Sequence, residues 1–412
     1  MQINYQEIKG ISEIVGDSFY ILDIEQFGKN YQELKSAFCK YYPKFNIAYS
    51  YKTNYIPKLC KLVDDLGGLA EVVSSMEYEL ALRVGVRPQN IIFNGPYKKS
   101  LDMEKLLLAG GTVNIDSLYE TSLLKEIAAR NPGEKLNIGI RLNFEVGDGV
   151  VSRFGFDVDG EELADVIESC KEFDNIHIKG VHCHIANRSL AVWKNKVSGM
   201  LAAIKKLFMD QKPEFISMGG GLYGKMAESL KKQFNTPIPD YEEYAQLIAK
   251  GFADFYQGYD EDAKPELLIE PGSALVGDVM HFVTKVLNIK DVRGKKIATL
   301  TGSIYNINPT LNTKNPPIRV LSDNTEQCYF KDLDFGGYTC IESDYLYRNF
   351  EGMLSVGDHV VFSNVGSYSI VLKPPFILPN FPILEMGSTV DNIEYVKDGE
   401  DMSYIFQTYH FE

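Results

Sequence analysis

The sequence contains no long hydrophobic run and no cluster of basic residues. Without about 20 consecutive apolar residues, it offers no segment of the length that spans a bilayer. Its formal net charge is −14, from 42 basic and 56 acidic residues. Because binding to a nucleic-acid backbone needs clustered Lys and Arg, no nucleic-acid partner is expected. The first residues lack the basic and apolar regions of a signal peptide, so we expect a cytoplasmic protein.

The cysteines also lack a pattern. None of them forms the CxxC spacing of a zinc site, and their number is too small for a dense disulfide framework. We therefore expect no metal and a reducing compartment. The six cysteines are Cys39, Cys60, Cys170, Cys183, Cys328 and Cys340.

The composition is that of a folded protein, with 45% hydrophobic and 24% charged residues. The length of 412 residues exceeds one typical domain, which predicts two domains or one large barrel with an addition.

Short apolar segments alternate with segments of helical period between residues 28 and 280. Eight strands with intervening helices predict a (β/α)8 barrel, and a doubly wound open sheet is the alternative. The predicted strands are residues 46–52, 69–73, 90–94, 112–116, 136–142, 176–184, 215–218 and 266–270. The predicted helices are residues 24–39, 56–66, 75–84, 101–109, 117–129, 160–171, 191–208 and 241–256.

After residue 280 helical patterns become rare, and strand-like segments follow at 281–289, 296–300, 318–321 and 359–363. Gly, Pro and Asn between them predict a mainly antiparallel β domain. Residues 19–22 have no place in the barrel and are expected to join it. The predicted domains are a barrel at 26–280 and a β-sandwich or β-barrel-like domain formed by 1–25 and 281–412.

Lys52 is the most informative residue. On a predicted strand, Ala48, Ser50 and Lys52 share one face. This places an amine at the carboxyl-terminal rim of the barrel, where it could form a Schiff base with an aldehyde cofactor. The alternative is a surface lysine at a strand end.

The sixth predicted strand also has candidate site residues at its carboxyl end, two histidines. His182 and His184 are two residues apart and are expected to face the same side. A flat imidazole could stack on a cofactor ring, while the alternatives are core histidines or a metal-binding pair.

The last two predicted strands end in glycines and a carboxylate. Gly219, Gly220 and Gly221 would let backbone N–H groups approach a phosphate, although such glycines also serve in turns. Glu270 precedes Pro271 and Gly272. A carboxylate there could keep a pyridine nitrogen protonated, and an ordinary salt bridge is the alternative.

These motifs, in this order, resemble the fold-type III pyridoxal-phosphate (PLP) decarboxylases, the group that contains diaminopimelate and ornithine decarboxylases and shares its barrel with alanine racemase. The resemblance spans nearly the whole chain. The motifs are YSYKTN around Lys52, EVVSSMEYELAL at 71–82, IIFNGPYK at 91–98, NIDS at 114–117, IRLN at 140–143, SRFGF at 152–156, GVHCHI at 180–185, GGG at 219–221, EPG at 270–272, GYTCIESD at 337–344 and GSY at 366–368.

The resemblance implies a role for each matching residue. Lys52 would form the Schiff base, His184 would stack on the ring and Glu270 would pair with the pyridine nitrogen. Cys340 of the partner subunit would return a proton to the carbanion, in a homodimer with shared active sites. Further cofactor contacts are implied for Glu71, Arg141, Asn187, Gly219, Gly220, Gly221, Gly272, Ser273 and Tyr368.

The resemblance also implies the reaction. An amino acid would form an external aldimine, lose CO2 to leave a quinonoid carbanion, and be released as an amine. A racemase or epimerase on the same barrel is an alternative, but Glu270 speaks against it, because alanine racemases place an arginine at the ring nitrogen. A non-catalytic regulator is a further alternative, which the presence of Lys52, His184 and Cys340 disfavours.

Four departures from the family pattern concern the substrate and the cofactor phosphate, which Ser273, Asn187 and the glycines would have to hold without the usual arginine. Ser273 replaces an arginine, Asn187 replaces a serine and Ile341 replaces a glutamate. The segment Asn308, Pro309, Thr310, Leu311 and Asn312 replaces Arg-Pro-x-Leu-Tyr. Because a buried distal carboxylate would lack its cation, we expect an atypical or conjugated diamino acid rather than diaminopimelate. Asn308, Glu342 and Asp344 are the predicted substrate-binding residues.

Overall fold

The computed structural model describes residues 4–209, 212–308 and 313–411. Its strands, numbered in chain order, are β1 Phe19–Leu22, β2 Phe45–Ser50, β3 Leu69–Val72, β4 Ile91–Phe93, β5 Thr112–Ile115, β6 Leu136–Asn143, β7 Phe156–Asp157, β8 Ile176–His182, β9 Phe215–Ser217, β10 Glu266–Ile269, β11 Met280–Val292, β12 Lys295–Leu300, β13 Ile318–Leu321, β14 Cys328–Gly336, β15 Tyr345–Leu354, β16 His359–Ser363, β17 Ile383–Glu385 and β18 Tyr395–Lys397.

The helices are α1 Tyr5–Val15, α2 Ile24–Cys39, α3 Pro57–Asp65, α4 Ser75–Arg83, α5 Ser100–Leu108, α6 Leu118–Arg130, α7 Glu161–Lys171, α8 Leu190–Phe208, α9 Glu228–Lys231, α10 Tyr241–Phe255, α11 Ser273–Val276, α12 Ile304–Ile307 and α13 Met402–Ile405. None of the helices in the described ranges is both long enough and apolar enough to cross a membrane.

The chain forms two compact units. One contains the described residues of 28–224 and 236–274, and the other contains the described residues up to 27, those of 225–235 and those from 275 onward. We predicted domain boundaries at residues 26 and 280. Whether the two units are independent domains with these boundaries remains a proposal.

The first unit is a closed parallel barrel. Its strands pair in the order β5, β4, β3, β2, β10, β9, β8 and β6, and the pairing of Val113 with Ile138 joins β5 to β6. This closure confirms the predicted barrel and excludes the doubly wound sheet, because an open sheet would leave β5 and β6 as separate edges.

The barrel helices cover its outside with one apolar face each. In α10 the buried residues recur at helical spacing: Tyr241, Tyr244, Ala245, Ile248, Ala249 and Phe252. Asp240 and Glu243 form a capping box at its first turn, which satisfies N–H groups that the helix itself leaves free.

The second unit is a mainly antiparallel sheet around β11, which pairs with β1, β12 and β16. Phe19 of β1 lies opposite Val283, so residues 19–22 join this sheet as predicted. Helix α1, which the sequence analysis missed, places Ile8 and Ile11 in the core of this unit.

Candidate active site

The carboxyl ends of the barrel strands carry polar side chains into one cavity. Its volume is about 510 Å³ when the space at its open mouth is included, which is ample for a small cofactor or substrate. The lining residues are Lys52, Glu71, Val73, Asn94, Gly95, Pro96, Arg141, Phe154, His182, His184 and Glu270.

Lys52 lies beside Glu71, but on a different element from the predicted one. Strand β2 ends at Ser50, and Lys52 sits in the short 3₁₀ turn Tyr51–Thr53. The expectation that it shares a strand face with Ala48 is therefore wrong in detail. Lys52 Nζ is 2.7 Å from Glu71 Oε2 and 3.0 Å from Oε1. Burial opposes the charge on Lys52, but Glu71 and Glu270 outweigh it and raise its pKa above the usual value.

Asn94 connects the two carboxylates of the cavity. Its Nδ2 is 3.0 Å from Glu71 Oε1 and 3.0 Å from Glu270 Oε1. Asn114 Nδ2 donates to Asn94 Oδ1 at 2.7 Å, which fixes the orientation of the Asn94 amide. Both asparagines belong to motifs of the sequence, but no role was predicted for either; their position at the carboxyl ends of β4 and β5 was the available signal.

Glu270 is buried directly after β10 and has a full set of hydrogen-bond donors. His182 Nε2 lies 3.1 Å from Oε2, and Ser217 Oγ donates to Oε1 at 2.7 Å. Burial disfavours the ionised form, but His182, Lys52 and Ser217 together hold the pKa of Glu270 below its usual range. The Glu270 carboxyl is therefore ionised at neutral pH.

Strand β8 ends at His182, and His184 lies two residues beyond it. The prediction that the two histidines share one face of a strand is therefore wrong. His182 contacts Glu270, whereas the imidazole of His184 lines the cavity. Burial, reinforced by Lys52 and Lys196, lowers the pKa of His184 to about 3. Its imidazole is therefore neutral over the physiological range. In the described part of the chain, no group of three or more potential ligands could hold a metal ion.

Arg141 lies at the cavity wall and is held by two neighbours. Its Nη1 is 3.4 Å from Asp116 Oδ2, and its guanidinium carbon is 4.5 Å from the centre of the Phe154 ring. The Asp116 carboxylate also accepts from the N–H of Gly155, which connects the ends of β5 and β6 to the loop before β7.

The glycine segment after β9 packs too closely for side chains. Gly219 has φ +64°, and a Cβ there would lie 2.3 Å from the carbonyl oxygen of Cys183. Gly220 and Gly221 accept hydrogen bonds from helix α8 through their carbonyls, from Lys196 Nζ at 3.2 Å and from Trp193 Nε1 at 2.8 Å.

Gly272 and Ser273 complete this part of the rim. A Cβ at Gly272 would lie 2.0 Å from Thr53 Oγ1, so glycine lets the turn that carries Lys52 pack against the segment after Glu270. Ser273 Oγ accepts from Arg188 Nη2 at 3.4 Å. Asn187 Oδ1 accepts from the N–H of Ser189 at 3.1 Å.

The remaining predicted residues belong to the second unit. Cys340 and Glu342 are exposed in the loop between β14 and β15. Asn308 follows α12 and donates its N–H to the carbonyl of Ile304 at 2.7 Å. Tyr368 has φ +66°. The substrate prediction also rests on Pro309, Thr310, Leu311 and Asn312, which lie outside the described residues.

Asp344 is buried in that loop and its oxygens are already occupied. Oδ1 accepts from Ser303 Oγ at 3.0 Å and from the N–H of Ile304 at 2.8 Å. Oδ2 accepts from Thr339 through its hydroxyl at 2.6 Å and its N–H at 3.2 Å. This geometry suits a residue that shapes the Cys340 loop better than a ligand for a substrate amine.

The barrel residues fit the chemistry of PLP. Lys52 offers an amine for its aldehyde, Glu270 offers an ionised carboxylate for its pyridine nitrogen, and the glycine segment offers close backbone approach for its phosphate. His182 and Glu270 are both buried, and the contact between them holds the Glu270 carboxylate ionised and in place for the pyridine nitrogen.

Comparisons with known proteins agree with this fit. The family model described as "Pyridoxal-dependent decarboxylase, pyridoxal binding domain" matches residues 26–277. The diaminopimelate decarboxylase of Aquifex aeolicus is 24% identical over 425 residues, covering 97% of this chain and 93% of that protein.

Solved structures share the fold. The diaminopimelate decarboxylase of Methanocaldococcus jannaschii superposes with a TM-score of 0.86 at 23% identity, covering 98% of this chain and 94% of that one. The lysine decarboxylase of Selenomonas ruminantium gives 0.75 at 21% identity, covering 94% and 97%.

Proposed function

This chain belongs to the pyridoxal-dependent decarboxylases, and from that premise we propose that it decarboxylates an amino acid other than diaminopimelate, with Lys52 as the lysine that binds PLP. The observation that carries this proposal is the convergence of Lys52, Glu71, Glu270 and His184 in one cavity. When bound, PLP supplies an aldehyde for amines and a ring that accepts the electron pair left by CO2.

Lys52 must lose a proton before its amine can attack an aldehyde. Glu71, whose Oε2 is 2.7 Å from Lys52 Nζ, is the nearest acceptor for that proton. Ser50 Oγ donates to the same oxygen at 2.6 Å and so holds the carboxylate in place. We assign Glu71 to proton transfer at Lys52 Nζ.

Glu270 supplies the negative charge for the pyridine nitrogen. A carboxylate that stays ionised in a buried site favours a protonated pyridine, which accepts electrons better than the neutral ring. Asn94, Ser217 and His182 hold this carboxylate in one orientation, and we assign them as positioning residues.

His184 supplies a neutral, flat surface in the same cavity. Because its pKa is lowered to about 3, it adds no positive charge beside a cationic ring. This agrees with the stacking role that the family resemblance implies.

We also propose that the protein acts as a homodimer, in which Cys340 of one subunit returns a proton to the α-carbon in the other. The exposed position of Cys340 supports this assignment. The four hydrogen bonds of Asp344 fix the base of the same loop, so Asp344 is proposed to position Cys340, and Glu342 and Asn308 remain the proposed substrate contacts.

The proposed substrate lacks the distal carboxylate that diaminopimelate carries. Asn308 and Ile341 stand where the family resemblance implies an arginine and a glutamate. A carboxylate buried without a cation costs several kcal/mol, on the order of a thousandfold in binding. Diaminopimelate itself is the second candidate substrate, because a protein named diaminopimelate decarboxylase aligns with 97% of this chain.

A CO2-release screen tests the function. It compares free and conjugated diamino acids, in both stereochemical series, with diaminopimelate, lysine and ornithine. We expect a diamino acid without the second α-amino carboxylate to be turned over fastest. Fastest turnover of diaminopimelate would reject the substrate proposal but keep the decarboxylase, and no CO2 from any amino acid with PLP bound would reject the catalytic proposal.

Lys52→Ala provides the matching residue test. We expect loss of the visible absorbance of the covalently bound cofactor and loss of CO2 release, because Lys52 is the only lysine among the described residues that line the cavity. Lys250→Ala, on the exposed face of α10, removes an equal charge and should behave as wild type. Retention of the absorbance by Lys52→Ala would reject the assignment of Lys52.

A further inference from the structure

Arg188 lies where three rim segments of the barrel meet. Its Nη2 is 3.4 Å from Ser273 Oγ in the segment after Glu270. Its guanidinium carbon is 5.2 Å from the centre of the Tyr223 ring, just after the glycine segment. Arg188 itself belongs to the loop after β8. One side chain therefore reaches the two segments that the sequence analysis singled out as phosphate-binding.

The backbone of Arg188 is held in place. Tyr244 Oη donates to its carbonyl at 2.6 Å. The next residue, Ser189, is the N-cap of α8 and accepts from the N–H of Val192. Because the backbone of Arg188 is already ordered, only the freedom of its side chain is lost when the guanidinium binds an anion.

Two cations next to the glycine segment lack a carboxylate partner. Within residues 4–209, 212–308 and 313–411, Arg188 forms no ion pair. Lys196 is fully buried, and its Nζ donates to the carbonyls of Ile185 at 3.4 Å and Gly220 at 3.2 Å. Burial lowers the pKa of Lys196 to about 8.

Unneutralised positive charge at a partly buried site favours the binding of an anion there. The nearby backbone supplies further donors: in the described part of the chain, the N–H groups of Gly220 and Gly221 have no acceptor. A phosphate is the anion that such a combination of a guanidinium and glycine N–H groups suits best.

We propose that Arg188 binds the phosphate of the cofactor, supplying from the loop after β8 the charge that the family resemblance implies at the position of Ser273. The contact between Arg188 Nη2 and Ser273 Oγ carries this assignment, because it shows that the guanidinium reaches the replaced position from another backbone segment. The inference rests on the proposed binding of PLP at this rim and identifies a binding residue that the motifs alone did not reveal.

Cofactor affinity tests the proposal without any turnover. Cofactor-free protein is titrated with PLP and with pyridoxal, which lacks the phosphate, and binding is followed by absorbance. We expect Arg188→Ser to weaken PLP binding on the order of tenfold to a hundredfold and to leave pyridoxal binding unchanged. Arg188→Lys, which keeps the charge but loses the fork of donors, should fall between the two.

A charge exchange provides the sharpest comparison. Arg188→Ser combined with Ser273→Arg restores one cation at the same place, and we expect it to regain PLP affinity. Arg83→Ser removes an exposed arginine on α4 and serves as the matched control, with wild-type affinity for both compounds.

The outcomes separate this inference from the proposed function. Equal weakening of PLP and pyridoxal by Arg188→Ser, or no weakening of either, would overturn the assignment of Arg188 while wild-type binding of PLP still stood. If the wild-type protein bound neither compound, the proposed function would fail instead.

Discussion

Lys52 and His184 share one cavity but respond to burial in opposite ways. Lys52 has two carboxylates nearby, which outweigh the cost of burial and raise its pKa. For His184, Lys52 and Lys196 reinforce the effect of burial and together outweigh the opposing effect of Glu270. The cavity thus keeps a charged amine next to a neutral imidazole. Neighbouring charge, rather than residue type, decides which group carries a proton.

His184 should make the stability of the cofactor-free protein depend on pH. Its pKa is about 3 in the folded protein and has the ordinary value of 6.5 when unfolded. Between these values only the unfolded chain binds the proton, so stability falls as the pH drops through this window, by about 1.4 kcal/mol per unit. Between pH 6.5 and 4.5, urea unfolding of wild type should lose about 2 kcal/mol more than that of His184→Gln.

A matched histidine controls this measurement. His177→Gln removes a half-buried histidine of β8 that does not line the active-site cavity, and it is measured at the same two pH values. His281 and His359, whose pKa values burial also lowers, are present in every variant, so the difference isolates His184. Parallel curves for wild type and His184→Gln would contradict the prediction.

At the scale of elements, the loops after β3 and β5 are built in the same way. Ser74 and Ser117 are the N-caps of α4 and α6, and each accepts from the N–H of a glutamate three residues later. These glutamates accept in turn from the backbone before the cap, Glu77 from Val73 and Glu120 from Asp116. Each loop therefore leaves its strand in a defined direction, which positions the rim residues next to it.

Glu120 also binds Lys98 in a pair that is fully buried. Lys98 Nζ lies 2.8 Å from Glu120 Oε2 and 2.6 Å from the carbonyl of Gly95, which lines the cavity. Burial lowers the pKa of Lys98 and raises that of Glu120, so both charges depend on the presence of the other. The pair connects the cavity wall to helix α6.

Replacing one partner of this pair should destabilise the protein more than replacing both partners. Lys98→Met leaves the Glu120 carboxylate buried without its cation, and we expect a loss of about 3–5 kcal/mol in the free energy of unfolding. Lys98→Met combined with Glu120→Gln should recover most of that loss, because the amide still accepts from Asp116 without a charge. Urea unfolding measures both variants.

Lys250→Met is the matched substitution for this series. Lys250 and Asp254 form an exposed pair one turn apart on α10, and such pairs contribute little to stability. We expect no resolved change in its unfolding midpoint. A double variant less stable than Lys98→Met alone would show that the pair does not act as a unit.

At the scale of the whole molecule, the proposed active-site residues divide between the two units. Lys52, His184 and Glu270 lie in the barrel, whereas Cys340 and Glu342 lie in the second unit. If each active site combines Lys52 of one subunit with Cys340 of the other, two defective chains can build one intact site.

Subunit mixing tests this division. Lys52→Ala and Cys340→Ala homodimers should each have little activity, and equal mixing with free exchange should restore up to about a quarter of the wild-type activity, since half of the dimers then contain one intact site. Activity and sedimentation are measured on the same mixture. No recovery, with heterodimers demonstrated, would place each complete site within one subunit.

Much of this architecture followed from the sequence. The alternation of apolar strands and amphipathic helices predicted the barrel, because the period of two or 3.6 residues depends only on local geometry. Lys52, Glu71, Arg141, His184 and Glu270 were also identified as a group, and all of them line one cavity. The second unit was predicted less completely: β14 and β15 were missed, since their exposed and irregular residues show no clean alternation.

The sequence by itself determined the alternation of strands and helices in the barrel and the residues near the carboxyl ends of its strands, because these depend on neighbours along the chain. Only the tertiary structure decided that Asn94 joins two carboxylates and that Lys52 lies on a turn. It alone placed the guanidinium of Arg188 beside Ser273, 85 positions away. Hydrogen bonds and charge pairs between distant strands depend on how the barrel closes. A pattern of adjacent residues does not specify which residues far apart in the sequence come into contact.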